Sequence, residues 1–279
     1  MRRLVWLASY PKSGNTWFRA FLRAFLSGSV DVNQLGFDHS GRRRDLDEML
    51  AIETAYLLDH ELERLRPDVY RARAAECEQP ALFVKTHEGF RRLEDGRALF
   101  VPECTRGVVY LVRNPLDVVV SYAFHLEQGD FDQAIAKLAV GQTWGWVRDR
   151  YSHQIGQLVP DWSSHVVGWL DNAELPVHLV RYEALLETPE ATFSQALDFL
   201  GLHHTPEQVA RAVELSSFQR LRQQEQQQGF WEKMRLGVNF FRRGQAGDWR
   251  RHLSREQVER VVAQHQKVMA RLGYLPKGG

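Results

Sequence analysis

Leu4-Val5-Trp6-Leu7-Ala8-Ser9-Tyr10-Pro11-Lys12-Ser13-Gly14-Asn15-Thr16-Trp17-Phe18-Arg19-Ala20-Phe21 is the stretch whose reading decides the fold. An apolar run ends at Ala8, a polar turn follows, and apolar residues then recur at 17, 20, 21, 24 and 25. The pattern predicts a buried strand, a tight loop and an amphipathic helix in immediate succession. Such a loop directs backbone N–H groups into one cavity, where the helix dipole also favours an anion. Lys12 adds a mobile positive charge, and Ser13 and Thr16 add hydroxyls. Recognition of a phosphate-bearing ligand is the chemistry this suggests. The spacing is not that of the standard triphosphate loop, because here the lysine precedes the glycine. An ordinary surface connection would fit the stretch as well.

Outward from this loop, the first helix is expected over 13–26, closed by Gly28-Ser29. Gly41-Arg42-Arg43-Arg44-Asp45 reads as an exposed loop, and a helix over 46–65 is expected to end at Pro67. Buried strands are expected at 81–84, 107–112 and 177–180, with helices at 131–140, 142–157, 162–170, 189–200 and 206–215. Residues 219–247 read as a long irregular segment, a kind that is commonly functional or mobile. Ser254 and Gln257 form a capping box for a last helix that Gly273 stops. Apolar strands without alternation, separated by helices, indicate a parallel sheet covered on both faces. The expected class is therefore α/β, with a central parallel β-sheet flanked by helices in a single domain over 1–279.

Composition narrows the function. The chain has 279 residues, 44% apolar and 25% charged, with a formal net charge of +1. These are the proportions of a soluble globular protein, and the charge balance gives no basis for bulk binding to nucleic acid or an anionic membrane. Two cysteines, Cys77 and Cys104, make no disulfide framework and no closely spaced metal-ligand pattern, which fits a reducing, cytoplasmic setting. No run approaches the length of a membrane span, and the short apolar stretch after Arg2-Arg3 breaks too early for a signal peptide.

In an open parallel sheet, ligands gather beyond the carboxyl ends of the strands. Tyr10 to Thr16, Lys85-Thr86-His87 and Arg113 to Asp117 follow three of the expected strands, and Tyr182 follows the fourth. If these strands are neighbours, Lys12, Lys85, His87 and Arg113 converge on one sheet edge. Several cations beside one potential general base suit transfer of an anionic group.

Four of these segments resemble the cytosolic-type sulfotransferases, which move a sulfuryl group from 3′-phosphoadenosine 5′-phosphosulfate (PAPS) to an acceptor hydroxyl or amine. Residues 10–17 resemble the family's 5′-phosphosulfate loop, and Arg113-Asn114-Pro115-Leu116-Asp117-Val118-Val119-Val120-Ser121-Tyr122 its 3′-phosphate motif. Phe241-Arg242-Arg243-Gly244-Gln245-Ala246-Gly247-Asp248-Trp249 resembles the late segment that covers the cofactor, and Lys85-Thr86-His87 the catalytic Lys-Thr-His.

The resemblance implies a P-loop-like sulfotransferase fold and roles residue by residue. His87 would be the general base, with Lys12 and Lys85 stabilising charge on the leaving and attacking oxygens. Lys12, Ser13, Gly14, Asn15 and Thr16 would hold the 5′ end, and Arg113 and Ser121 the 3′-phosphate. Arg242, Arg243 and Gly244 would complete that clamp. Trp17, Phe218 and Tyr182 would surround the adenine. Asn15 stands where threonine is common. Asp117 suits orienting the loop or capping backbone groups better than acid chemistry.

Residues 27–80 and 124–170 would form the acceptor pocket, with Phe124, Trp144, Trp146 and Trp169 as candidate apolar contributors, and 219–247 would cover the cofactor. The implied partner is a small-molecule hydroxyl acceptor, the product nucleotide is 3′,5′-bisphosphoadenosine (PAP), and no metal is needed. Two other readings stand beside this one. A P-loop nucleotide kinase or phosphotransferase would need the Gly-Lys-[Ser/Thr] loop that is missing. A non-catalytic nucleotide-binding protein could keep every phosphate contact.

Overall fold

The computed structural model describes residues 2–126, 128–144, 154–171, 174–233 and 238–276. In chain order the strands and helices are β1 (Leu4–Ser9), α1 (Asn15–Ser27), β2 (Asp38–His39), α2 (Arg43–Leu50), α3 (Asp59–Glu76), β3 (Leu82–Thr86), β4 (Thr105–Val112), α4 (Pro115–Leu126) and α5 (Phe131–Val140). Then follow β5 (Gln142–Trp144), β6 (Gln157–Val159), α6 (Trp162–Leu170), β7 (Val177–Arg181), α7 (Tyr182–Glu187), α8 (Pro189–Phe199), α9 (Pro206–Leu215), α10 (Phe218–Gln228) and α11 (Arg255–Arg271).

The chain forms two compact units. The first comprises residues 1–10, 37–110 and 141–179, and the second 11–36, 111–140 and 180–279. The first unit is organised on a five-stranded sheet of order β2-β3-β1-β4-β7, of which β4 and β7 run their last residues into the second unit. β1 pairs with β3 in parallel, Leu7 opposite Lys85 and Ala8 opposite Thr86, and β2 pairs with β3 with His39 opposite Lys85. All six residues of β1 are buried, as the uninterrupted apolar run requires of a central strand. Trp6 fills the interior beneath it, edge-on to Tyr70 and Phe100 at 4.9 Å each.

The second unit is mainly helical. Phe18, Phe21 and Phe193 pack α1 onto α8, with the rings of Phe21 and Phe193 stacked at 3.7 Å. Ser254 caps α11 by accepting from the Gln257 N–H through its hydroxyl, while the Gln257 side-chain oxygen accepts from the Ser254 N–H, the box expected from sequence.

Several expectations are corrected. Pro67 lies inside α3 rather than ending it. Leu62, Arg66, Val69 and Tyr70 are buried on both sides of the proline, and this packing offsets the one backbone hydrogen bond that a proline removes. Residues 142–144 and 157–159 form the antiparallel pair β5–β6 instead of the ends of a helix, and 145–153 lie outside the described residues. The expected irregular segment begins at Gly229, because 218–228 is helical. Gln, Arg, Leu and Glu are good helix formers even where only Leu221 and Glu225 are buried. The basic run at 41–45 is not a solvated loop. Arg43 is buried on α2 and donates to the Thr54 carbonyl at 2.9 Å, and Arg42 pairs with Asp38.

Candidate active site

In the first unit, Lys85 and Thr86 are the last two residues of β3, and His87 follows directly in the turn beyond it. The His87 ring lies against the last residue of β1, its Nδ1 2.9 Å from the Ser9 carbonyl oxygen and 3.2 Å from Ser9 Oγ. A carbonyl oxygen only accepts, so Nδ1 carries the hydrogen, and in the neutral ring Nε2 holds the lone pair. A histidine so oriented has the tautomer that a general base needs. Lys85 and Leu7 are register partners, which puts the lysine at the carboxyl end of the sheet.

In the second unit, the loop after β1 turns sharply at two residues. Lys12 has φ +68° and Gly14 has φ +99°, both in the left-handed region. A Cβ on Gly14 would lie 2.7 Å from Tyr182 Cδ2, so only glycine lets the ring pack on this loop. Lys12 Nζ sits 4.0 Å over the Phe240 ring. The first turn of α1 contains no acidic residue, and its N-cap, Gly14, offers no side chain to the backbone N–H groups. Asn15 and Thr16 are buried in that turn. Among the described residues, the buried Ser13 Oγ, Trp17 Nε1 and Arg113 Nε have no hydrogen-bond partner. Donors of this kind, clustered at a helix start, suit an anionic ligand.

Arg113 follows β4. Its guanidinium donates to the carbonyls of Lys12 at 3.3 Å and Gln245 at 3.0 Å, and lies 4.2 Å over the Tyr182 ring. One arginine thus joins the loop, the late segment and the tyrosine expected near the base. Ser121 lies on the second turn of α4. Burial pushes the Tyr182 phenol up from its ordinary value, against the opposing pull of Arg113, so it stays neutral. Trp17 meets Tyr182 edge-on at 5.9 Å.

The late segment is held from below by Asp117 on α4. Asp117 is buried, and its carboxylate accepts from the N–H groups of Gly247 at 2.6 Å and Trp249 at 3.0 Å. Arg242 and Arg243 both face Asp248, at 2.5 and 3.7 Å. Burial pushes the Asp248 carboxyl up, but the hydrogen bond and charge of Arg242, helped by His252 and Arg243, outweigh it and hold it below the ordinary range. Gly244 has φ +61°, and a Cβ there would fall into the Phe218 ring. Phe218 therefore packs directly on this backbone. Among the described residues, no group of three or more His, Cys, Asp or Glu could hold a metal ion, and no helix is long and apolar enough to cross a membrane.

A family model described as "Sulfotransferase domain" matches residues 2–273. The chain belongs to the sulfotransferase family. It is similar to flavonol 3-sulfotransferase of Flaveria bidentis, 26% identical over 273 residues, covering 92% of this chain and 78% of that one. It is also similar to 3-alpha-hydroxysteroid sulfotransferase of Cavia porcellus, 29% identical over 174 residues, 61% of this chain and 58% of that one. Among solved structures, retinol dehydratase in complex with androsterone and inactive cofactor PAP shares the fold, with TM-score 0.64 and 20% identity over 96% of this chain and 81% of that one. A mouse sulfotransferase complexed with PAP gives TM-score 0.60 and 15% identity, covering 96% and 85%. The α/β class and the sulfotransferase fold expected from the motifs are thus borne out.

Several supporting residues of this sulfotransferase escaped the sequence reading. Ser9 orients His87, and Phe240 underlies Lys12. Glu232 pairs with the buried Arg19 at 2.7 Å and accepts from Thr16 Oγ1 at 3.2 Å, tying the late segment to α1. Glu183 accepts from the Asn114 N–H at 3.0 Å and from Tyr274 OH at 2.7 Å, so the end of the chain supports the residue beside Arg113. Each lies far in sequence from its partner, where no motif signals it; Glu183 at least follows Tyr182 directly. Of the candidate pocket aromatics, Trp169 is fully buried core, and Phe124 lies under Arg242 and beside Phe131 and His252. The side chain of Trp144 and all of Trp146 lie outside the described residues.

Proposed function

We propose that this sulfotransferase uses PAPS as donor and transfers its sulfuryl group to a hydroxyl of a small-molecule acceptor, with residues 1–279 acting as one domain. The observation that carries the donor reading is the cluster of unpartnered buried donors, Ser13 Oγ, Trp17 Nε1 and Arg113 Nε, around the uncapped start of α1. These residues fit an adenosine bisphosphate. Lys12, Ser13, Gly14, Asn15 and Thr16 would hold its 5′ end, Arg113, Ser121, Arg242, Arg243 and Gly244 its 3′-phosphate, and Trp17, Tyr182 and Phe218 its base. When bound, PAPS supplies an electrophilic sulfuryl group on a phosphate leaving group.

The chain's own part is proton removal and charge stabilisation. His87 Nε2, its lone pair fixed by the Nδ1–H bond to Ser9, takes the proton of the acceptor hydroxyl. The ammonium groups of Lys12 and Lys85 stabilise negative charge that grows as bonds change, an effect that works best when the charges are already in place. Flavonol and steroid sulfotransferases among the relatives support an aromatic or alicyclic alcohol as acceptor. A relative named a cytosolic sulfotransferase of Arabidopsis thaliana supports a cytoplasmic location.

The test combines calorimetric titration of PAP with transfer of labelled sulfuryl from PAPS to a panel of phenols, flavonols and steroid alcohols. His87→Ala should bind PAP as the parent does while losing transfer by at least about 100-fold, the usual scale of a lost general base. Full transfer in that variant, or no PAP binding by the parent, would refute the reading.

A further inference from the structure

The turn after β3 leaves successive backbone carbonyls beyond the sheet, and one helix supplies donors to both. His165 and Trp169 stand one turn apart on α6. His165 Nε2 lies 3.1 Å from the His87 carbonyl oxygen, and Trp169 Nε1 lies 2.9 Å from that of Glu88. Side chains four apart on a helix share a face, so α6 acts as a ruler laid along this turn. Both side chains are fully buried.

The protonation state of His165 follows from its neighbours. The His87 carbonyl accepts, so Nε2 carries the hydrogen. Nδ1 is 2.8 Å from Tyr110 OH on β4 and accepts from it. The Tyr10 ring closes the imidazole edge-on at 5.5 Å. Burial pushes the His165 pKa down to about 4, and the bond to the His87 carbonyl only partly opposes this, so the ring is neutral at pH 7.

We infer that His165 is a positioning residue for sulfuryl transfer: by donating Nε2–H to the His87 carbonyl it fixes the backbone from which the His87 imidazole projects. This rests on the reading of His87 as general base. The imidazole of His87 is then located twice, through its own Nδ1–H on Ser9 and through its main chain on His165. Preorganisation of this kind matters because a misplacement of about 1 Å costs on the order of 100-fold in rate.

The test compares His165→Leu, which removes the donor, with His165→Gln, whose terminal amide keeps one. In His165→Leu, kcat should fall by roughly 100-fold while PAP affinity stays within twofold of the parent and the acceptor KM changes little. His165→Gln should recover at least about tenfold of that loss, since it restores the hydrogen bond that places the base. A His165→Leu kcat within about threefold of the parent, against the loss that misplacement brings, would overturn the inference. Equal losses in both variants would overturn it too, because a purely structural role does not distinguish them. If His165→Leu does not fold, His165→Phe carries the test, as it keeps a buried aromatic ring and loses the donor. Its kcat should drop by roughly 100-fold with PAP binding unchanged, and an unaltered kcat would sink the idea. His87→Ala separates the two levels. Full transfer there removes the base reading itself, whereas loss there with none in the donor-deleted variant removes only the role of His165.

Discussion

Gly244 has two reasons to be glycine: a φ of +61° and a Phe218 ring where any Cβ would stand. Gly14 is constrained in the same way by φ +99° and Tyr182. Each holds an aromatic side chain close to the backbone that, in the proposed function, touches the nucleotide. Gly244→Ala should therefore weaken PAP binding by about tenfold or more, since strain in the left-handed region and the displaced ring act together, and lower thermal stability by an amount on the order of 1–3 kcal/mol. Calorimetry beside a melting curve would check this; equal PAP affinity would mean that the segment adapts freely.

At Arg113, exchange for alanine should erode the preference for PAP over its 3′-dephosphorylated analogue, because a planar two-donor group is lost. Unchanged discrimination would place the 3′ site elsewhere. At this scale much was legible. Gly14, Lys12 and Arg113 announce themselves as turn and charge within short motifs. Ser9 does not, because a main-chain carbonyl that fixes a histidine tautomer has no residue signature.

Among the elements, the late segment is the least local. Glu225 on α10 accepts from the Phe240 and Phe241 N–H groups at 2.6 and 2.9 Å, Glu232 holds α1, and Asp117 takes Gly247 and Trp249. Three acids thus pin one stretch. Asp117→Ala leaves two N–H groups without their acceptor, which costs on the order of 1–3 kcal/mol for each one that stays buried. Amides 247 and 249 should then exchange faster with solvent, and PAP affinity should fall. Unchanged protection at those amides would show that Asp117 does not hold the segment. Glycines and aromatics in the sequence marked this stretch as irregular, but its anchors could not be read there. Nor could the helix through Pro67 or the strand at 142–144: in each, contacts distant in sequence override local preference.

At the scale of the whole molecule, Arg66 and Glu88 form an ion pair with both side chains fully buried, and Tyr70 OH is a further partner of the arginine. Glu88 directly follows His87, so the pair anchors the same turn that α6 reads. Glu88→Ala leaves a buried guanidinium uncompensated and should cost about 3–5 kcal/mol. The double variant Arg66→Met with Glu88→Leu should be much closer to the parent in denaturant titration.

A second effect is set by acid. His165 takes its proton near pH 6.5 when unfolded and near 4 when folded. The unfolded chain binds more protons between those values, so stability is full above pH 6.5 and falls as pH drops towards 4, by roughly 3 kcal/mol in all. Stability curves of the parent should show that slope, and those of His165→Leu should lack it. The sheet and its flanking helices were foreseeable from apolar runs and their punctuation. Buried pairs such as Arg66–Glu88 were not, since a charged residue in a sequence looks the same whether water or a partner surrounds it.

β1 is wholly buried and has β3 as a register partner, and β3 begins at Leu82. During synthesis on the ribosome β1 is thus made before β3 and waits for this neighbour. At about 5–20 residues per second, some 75 residues take roughly 4–15 s. Through that interval Leu4–Ser9 lacks its partner strand, and apolar surface left open in this way is what chaperones cover.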